Sequence, residues 1–152
     1  DYLVIDLPPG TGDVQLSLIQ TAPISGAIVV TTPSDVSLED ARKAVEMFRQ
    51  VRVEILGIVE NMAYLDCPHC GERIDVFNYG GGRKTAARMD VPFLAEIPLD
   101  PEVRAGGDTG DPVALRHGGG RHGAAFRQLA GGVVEAARRA AAKSGPSIEI
   151  TD

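Results

Sequence analysis

The two cysteines of this 152-residue chain stand close together, in Cys67-Pro-His-Cys70. A turn of that spacing can put two thiolates on one soft metal. It cannot finish a tetrahedral zinc site or an iron–sulfur cluster alone, since each takes four ligands. His69 lies between the cysteines and is expected to point away. His117 and His122 are far off, in a Gly-rich stretch that reads as a loop. Three readings of the pair stand side by side: half of a metal site shared by two chains, a redox dithiol, or an inert surface turn.

A second set of residues opens the chain, in Asp1-Tyr-Leu-Val-Ile-Asp6-Leu-Pro-Pro-Gly10-Thr-Gly-Asp13. Tyr2 to Ile5 reads as a buried strand ending on the carboxylate of Asp6. A strand that delivers an acid to a Gly-rich turn is how a parallel α/β sheet builds a phosphate and metal site beyond its strand ends. The acid can orient water on Mg²⁺, and Gly10 and Gly12 can bring backbone N–H groups to phosphate oxygens. The plainer reading is a strand, a tight turn and a helix capped by Asp13. Asn61 directly follows a third apolar run. Taken alone it is a turn or cap residue.

The elements that must position these residues alternate. Val14 to Thr21 reads as a short helix ended by Pro23. Gly26 to Thr31 is a strand. Thr32-Pro-Ser-Asp35 is a turn rich in capping residues. Leu38, Ala41, Val45 and Phe48 step by three and four, so Ser37 to Gln50 is an amphipathic helix. Val53 to Glu60 is the next strand. Residues 62–78 form an irregular excursion around the cysteines, with extended pieces at Ala63–Leu65 and Arg73–Phe77. Gly80-Gly-Gly82 lacks the spacing of a phosphate loop and reads as the start of a helix over Arg83–Met89. Pro92 to Ile97 is a further strand. Gly106, Gly107 and Gly110 mark a loop. Ala124 to Lys143 is a long helix packing through Phe126, Leu129 and Val133, with Gly131 and Gly132 costing about 1 kcal/mol each against Ala. Residues 144–152 read as a disordered tail. Strands alternating with helices make an α/β, doubly wound, mostly parallel sheet with helices on both faces.

Composition narrows the function. Asp and Glu total 21 against 15 Lys and Arg, giving a net charge of −6. No basic run has the density of a nucleic-acid footprint, so no nucleic-acid partner is expected. No apolar run of about 18 residues is present, so no membrane span is expected. Trp is absent and Phe and Tyr are few, which suits an aliphatic core of parallel strands. A close cysteine pair in a chain expected to be cytoplasmic is more at home in metal or redox chemistry than in a structural disulfide.

Five motifs in order resemble the Mrp/ApbC-type iron–sulfur carrier ATPases, relatives of MinD and ParA in the P-loop NTPase superfamily. They are Asp-Leu-Pro-Pro-Gly-Thr-Gly-Asp (6–13), Thr-Thr-Pro-Ser-Asp-Val (31–36), Gly-Ile-Val-Glu-Asn-Met (57–62), Cys-Pro-His-Cys-Gly (67–71) and Glu-Ile-Pro-Leu-Asp-Pro (96–101). The likeness runs from Asp1 to about Pro112, and more loosely to Ala142. It implies that Asp6 orients Mg²⁺-bound water, that the Gly10 N–H senses the γ-phosphate of ATP, and that Asn61 hydrogen-bonds adenine. Pro98 and Asp100 would then belong to the loop against the base. It further implies that Cys67 and Cys70 share one [4Fe–4S] cluster with a second copy in a homodimer, for delivery to apo iron–sulfur proteins.

The family's Gly-Lys-rich phosphate loop and first switch do not occur in these 152 residues. Residues 1–143 are therefore expected to be the C-terminal part of a P-loop NTPase domain, incomplete at its N-terminus. The full-length protein would be an ATPase. The segment alone is expected to be inactive, and to dimerise, swap elements or aggregate through its open sheet edge. Two other function classes compete: a MinD/ParA-type positioning ATPase, and a non-enzymatic module holding Zn²⁺ or a partner on the cysteine pair.

Overall fold

A computed structural model describes residues 2–8, 13–116 and 120–143. Its centre is a three-stranded parallel sheet in the order β1-β2-β5, from β1 (Ala27–Thr31), β2 (Ile55–Asn61) and β5 (Phe93–Ile97). Parallel strands covered on both faces are apolar throughout. β2 follows that rule from Leu56 to Val59, and the burial continues to Glu60. The register runs Thr31 against Glu60, and Asn61 against Ile97. The carboxyl ends of the strands therefore lie together, the edge where such sheets bind ligands.

α2 (Asp35–Gln50) and α3 (Gly81–Arg88) cover one face. Ser34 caps α2, its hydroxyl accepting from the Ser37 N–H at 3.4 Å, while Leu38, Ala41, Val45 and Phe48 turn inward. With Val29, Ile58 and Ala86 this face makes one core cluster. α5 (Gly120–Lys143) covers the opposite face, where Ala136 and Ala140 meet Leu56 beside Ile28, Leu94 and Val133. The expected stripe of Phe126, Leu129 and Val133 is thus displaced toward the C-terminus. Small residues at Ala136 and Ala140 let the helix lie close on the sheet, and Phe126 and Leu129 stay half-buried. α1 (Asp13–Thr21) forms as expected before Pro23. The excursion carries a two-rung antiparallel hairpin, β3 (Leu65–Asp66) and β4 (Arg73–Ile74).

Two expectations are corrected. Tyr2 to Ile5 is not a buried strand: its four side chains are exposed, Leu3 at 86%. An apolar run becomes a strand only where neighbours take up its N–H and C=O groups. No described strand pairs with it. Only Leu7 of this segment packs against the core. The glycines after Pro98 do not make a loop but lie in and after α4 (Pro101–Thr109). Asp100 caps this helix, Pro101 stands at its first position, and Gly110 ends it at φ 73°. These are ordinary start and stop signals. Gly106 is there for close approach, since a Cβ would sit 2.6 Å from the Asp111 carbonyl oxygen. Part of the expected 117–123 loop lies outside the described residues, and its remainder opens α5. The expected 144–152 tail also lies outside them.

Candidate functional site

The cysteine turn closes the β3–β4 hairpin. The Cys67 N–H donates to the Glu72 carbonyl at 2.8 Å, and the Gly71 N–H donates to the Cys67 carbonyl at 2.8 Å. Gly71 takes φ 73°, a left-handed conformation glycine adopts without strain. Both cysteines are free; Cys67 is half-buried and Cys70 exposed. The backbone N–H of Cys70, then that of His69, then the Cys70 thiol surround the Cys67 sulfur. They hold its pKa below the usual thiol range. Such a sulfur favours the thiolate, the form that binds metal. Among the described residues no group of three or more His, Cys, Asp and Glu side chains could hold a metal ion.

The residues expected at the base come together. Asn61 ends β2 in register with Ile97 at the end of β5. Beyond them the Ala63 N–H donates to the Ile97 carbonyl at 3.0 Å, and the Leu99 N–H to the Tyr64 carbonyl at 2.7 Å. Those bonds seat the loop with Pro98, which is buried, beside Asn61, which is half-buried. The Asn61 amide oxygen accepts from the Met62 N–H at 3.0 Å, holding the side chain over the strand end. Asp100 is at the edge of this group, and its carboxylate accepts from the Glu102 N–H at 2.5 Å as the cap of α4.

Asp6 does not join them. It is exposed on the irregular 2–8 segment, and no hydrogen bond or ion pair among the described residues ties it to the other candidates. Gly10 lies outside the described residues. Asp35 begins α2 and accepts from the Asn78 amide at 3.4 Å.

Sequence reasoning passed over the most deeply buried charge. Glu60 is completely buried at the end of β2, beside Asn61. One carboxyl oxygen accepts from the Gly82 N–H at the start of α3, and the other has no partner among the described residues. The start of α3 therefore already meets a carboxyl group from within the fold. Burial pushes the Glu60 carboxyl up, and neighbouring Glu96 adds to this. The Gly82 N–H, Arg83 and Arg73 act the other way. The signal in the sequence was one charge directly after the apolar Ile55–Val59. Glu96, in register with Glu60, meets Arg83 at 3.3 Å and Arg73 at 3.8 Å.

The fold and the candidate residues together define the class as an α/β domain with a central parallel sheet and a hairpin that presents two free thiols. The comparisons with known proteins are specific. A family model described as ParA, "NUBPL iron-transfer P-loop NTPase", matches residues 1–134. The chain belongs to that family. An iron–sulfur cluster carrier protein of Pseudomonas fragi is 53% identical over 115 residues, covering 76% of this chain and 40% of the relative. The iron–sulfur cluster transfer protein NUBPL of Mus musculus is 46% identical over 134 residues, covering 88% of this chain and 42% of the relative. The chain thus spans about two fifths of the curated relatives it matches. A nucleotide-binding protein of Archaeoglobus fulgidus, solved in complex with ADP, superposes with a TM-score of 0.65 at 44% identity. That match covers 73% of this chain and 46% of that one. The cell-division ATPase MinD of Pyrococcus furiosus gives a TM-score of 0.55 at 27% identity, covering 73% of this chain and 43% of that one.

Proposed function

We propose that the protein carrying this segment is an ATP-dependent iron–sulfur cluster carrier. Two copies would hold one [4Fe–4S] cluster between their Cys67 and Cys70 pairs and pass it to apo-proteins. The observation that carries the reading is the cysteine turn itself. Two free thiols sit at the tip of a hairpin, with N–H groups aimed at the Cys67 sulfur, and among the described residues too few further ligands lie nearby to close a site within one chain. Four-ligand chemistry then asks for a second copy. The cluster is cargo, and ATP is the switch.

Asn61, with an amide that can both donate and accept, suits an adenine edge, and the Pro98 loop suits its face. Asp6, Gly10 and Mg²⁺ would serve the phosphates when the phosphate loop of a longer protein is present. Asp100 is the weakest member of this set, because it already caps α4. Among the described residues no helix is long and apolar enough to cross a membrane. A cytoplasmic site of action is part of the proposal, although an Arabidopsis relative carries a mitochondrial name.

The test is anaerobic reconstitution of the full chain with iron and sulfide, beside Cys67→Ser and Cys70→Ser. The expected result is a broad visible absorbance, about two irons per chain in a dimer, and loss of both signals in either variant. Iron that persists without either cysteine, or tight zinc with no iron uptake, would end the carrier reading.

A further inference from the structure

The hairpin that carries the cysteines has a weak hold on the sheet. Its ladder is two rungs, Leu65 against Ile74 and Asp66 against Arg73, and residues 68–79 are exposed. Arg73 is the exception to this looseness. Its guanidinium lies 4.1 Å from the centre of the Tyr64 ring and 4.9 Å from that of Tyr79. Tyr64 is where the chain leaves the sheet for the hairpin, and Tyr79 is where it returns to α3. Arg73 also donates to Asp75 at 2.9 Å and reaches Glu96 on β5 at 3.8 Å. One side chain therefore ties the two ends of the excursion to each other and to the sheet.

We propose that Arg73 is a positioning residue for the cysteine turn, a clamp that fixes Cys67 and Cys70 relative to the strand ends beneath them. The link to the turn is short. Arg73 pairs with Asp66, the neighbour of Cys67, and the next bond up the hairpin is that of Cys67 to Glu72. The link to the base loop is short as well. Glu96 precedes Ile97 and Pro98, and Tyr64 holds Leu99 through its carbonyl. The clamp can also open without orphaning its partner. Glu96 keeps Arg83 at 3.3 Å, and Arg83 has its own perch 4.3 Å from the Phe93 ring centre. Arg73 is thus the exchangeable cation of a shared carboxylate. A shift of the loop at Ile97–Leu99 would move both the Tyr64 ring and Glu96, and so would loosen or tighten the turn.

This inference rests on the carrier reading for its purpose, but its test does not. The chain has three tyrosines and no tryptophan, and two of the three form the clamp. Tyrosine emission and near-ultraviolet dichroism therefore report the clamp directly. The experiment compares wild type, Arg73→Ala and Arg73→Lys in the full chain. Phenylarsine oxide, which needs both thiols on one arsenic, measures how well the pair is held. Chelator-driven iron loss measures the loaded site. Arg73→Ala should change the tyrosine signals, weaken arsenical binding and speed iron loss, each of the last two about tenfold. The thermal midpoint should stay near wild type, and Arg73→Lys should recover part of the effect. Unchanged arsenical binding in Arg73→Ala overturns the proposal, whatever the iron result. If the wild type takes up no iron, the carrier reading falls, and the arsenical arm alone decides the clamp.

Discussion

Adding one methyl group at two glycines should move stability in opposite directions. Gly82 is the second residue of α3, and its N–H is bonded to the buried Glu60 carboxylate. A Cβ built there would lie 2.9 Å from the Glu60 carboxylate oxygen, 3.1 Å from its Cβ and 3.3 Å from its Cδ. The glutamate has no room to swing, because it is fully buried and held by the same N–H. Overpacking of this kind costs about 1–3 kcal/mol, against a helix-propensity gain of up to about 1 kcal/mol for Gly→Ala. Displacing the carboxylate from its donor adds about 1–3 kcal/mol for an unsatisfied buried group. Gly82→Ala should therefore lose about 1–5 kcal/mol net, a fall in midpoint of about 2–20 °C for a chain of this size.

Gly131 is the control. It is exposed within α5, and nothing lies within 4 Å of an added Cβ. Gly131→Ala collects the propensity term alone and should gain about 0.5–1 kcal/mol. Urea denaturation followed by far-ultraviolet dichroism, with the slope checked for constancy, measures both. A Gly82→Ala chain as stable as Gly131→Ala would mean that Glu60 is not pressed against α3, and the account of the buried acid would fall. A Glu60→Ala background should shrink the Gly82→Ala penalty, since it removes the carboxyl atoms near the new methyl.

Further outcomes follow from the same contacts. Glu60 titrates higher in the fold than in the unfolded chain, so the folded state holds the extra proton. Its contribution to stability is full below the unfolded carboxyl value, is lost as pH rises through the folded value, and then levels off. Glu60→Gln should flatten that part of the stability–pH curve; an unchanged curve in parallel melts would refute the assignment. Ser34→Ala removes the cap of α2 and should cost about 1 kcal/mol by urea denaturation, with no effect on iron uptake. Asn61→Ala should weaken ADP binding about tenfold by calorimetry on the full-length protein, while tripolyphosphate binding stays unchanged.

The parts of the fold that the sequence announces are those whose signals are local. Apolar runs at Ile55–Val59 and Ala27–Val30, a three-four stripe at Leu38 to Phe48, and the turn rich in capping residues at Thr32–Asp35 each depend on near neighbours, and each element formed within a residue or two of expectation. Tyr2–Ile5 failed for the opposite reason: a strand is a property of what lies beside it, and the run says nothing of its neighbours. α4 was missed because Gly106 and Gly107 were counted as breakers, while the cap at Asp100, Pro101 at the helix start and Gly110 at its end outweigh them. The cysteine turn was legible from spacing alone. The Glu60–Glu96–Arg73 group was not, because it is assembled by register across β2 and β5 and by a hairpin folding back.

The glycine run at 80–82 shows how such assembly can hide in composition. As a string it resembles the start of a phosphate loop, and a helix N-terminus is a natural anion site. Here a carboxyl from within the fold already occupies that place. Gly80 takes φ 64° to open α3, Gly81 makes room for a Leu38 methyl 2.6 Å from where a Cβ would be, and Gly82 admits the Glu60 carboxylate. Gly80 answers to backbone conformation, Gly81 and Gly82 to two different neighbours, and the Gly82 N–H is already taken by Glu60. The buried Glu60 carboxyl thus meets the helix start that the 80–82 string suggests. It also stands beside Asn61 on one side and, through Glu96, beside Arg73 on the other. A carboxyl in that place is bound to feel changes at both. Substituting it tests whether the strand end and the hairpin are energetically joined: in Glu60→Gln, the Arg73→Ala effect on arsenical binding should change in size if they are, and stay the same if they are independent.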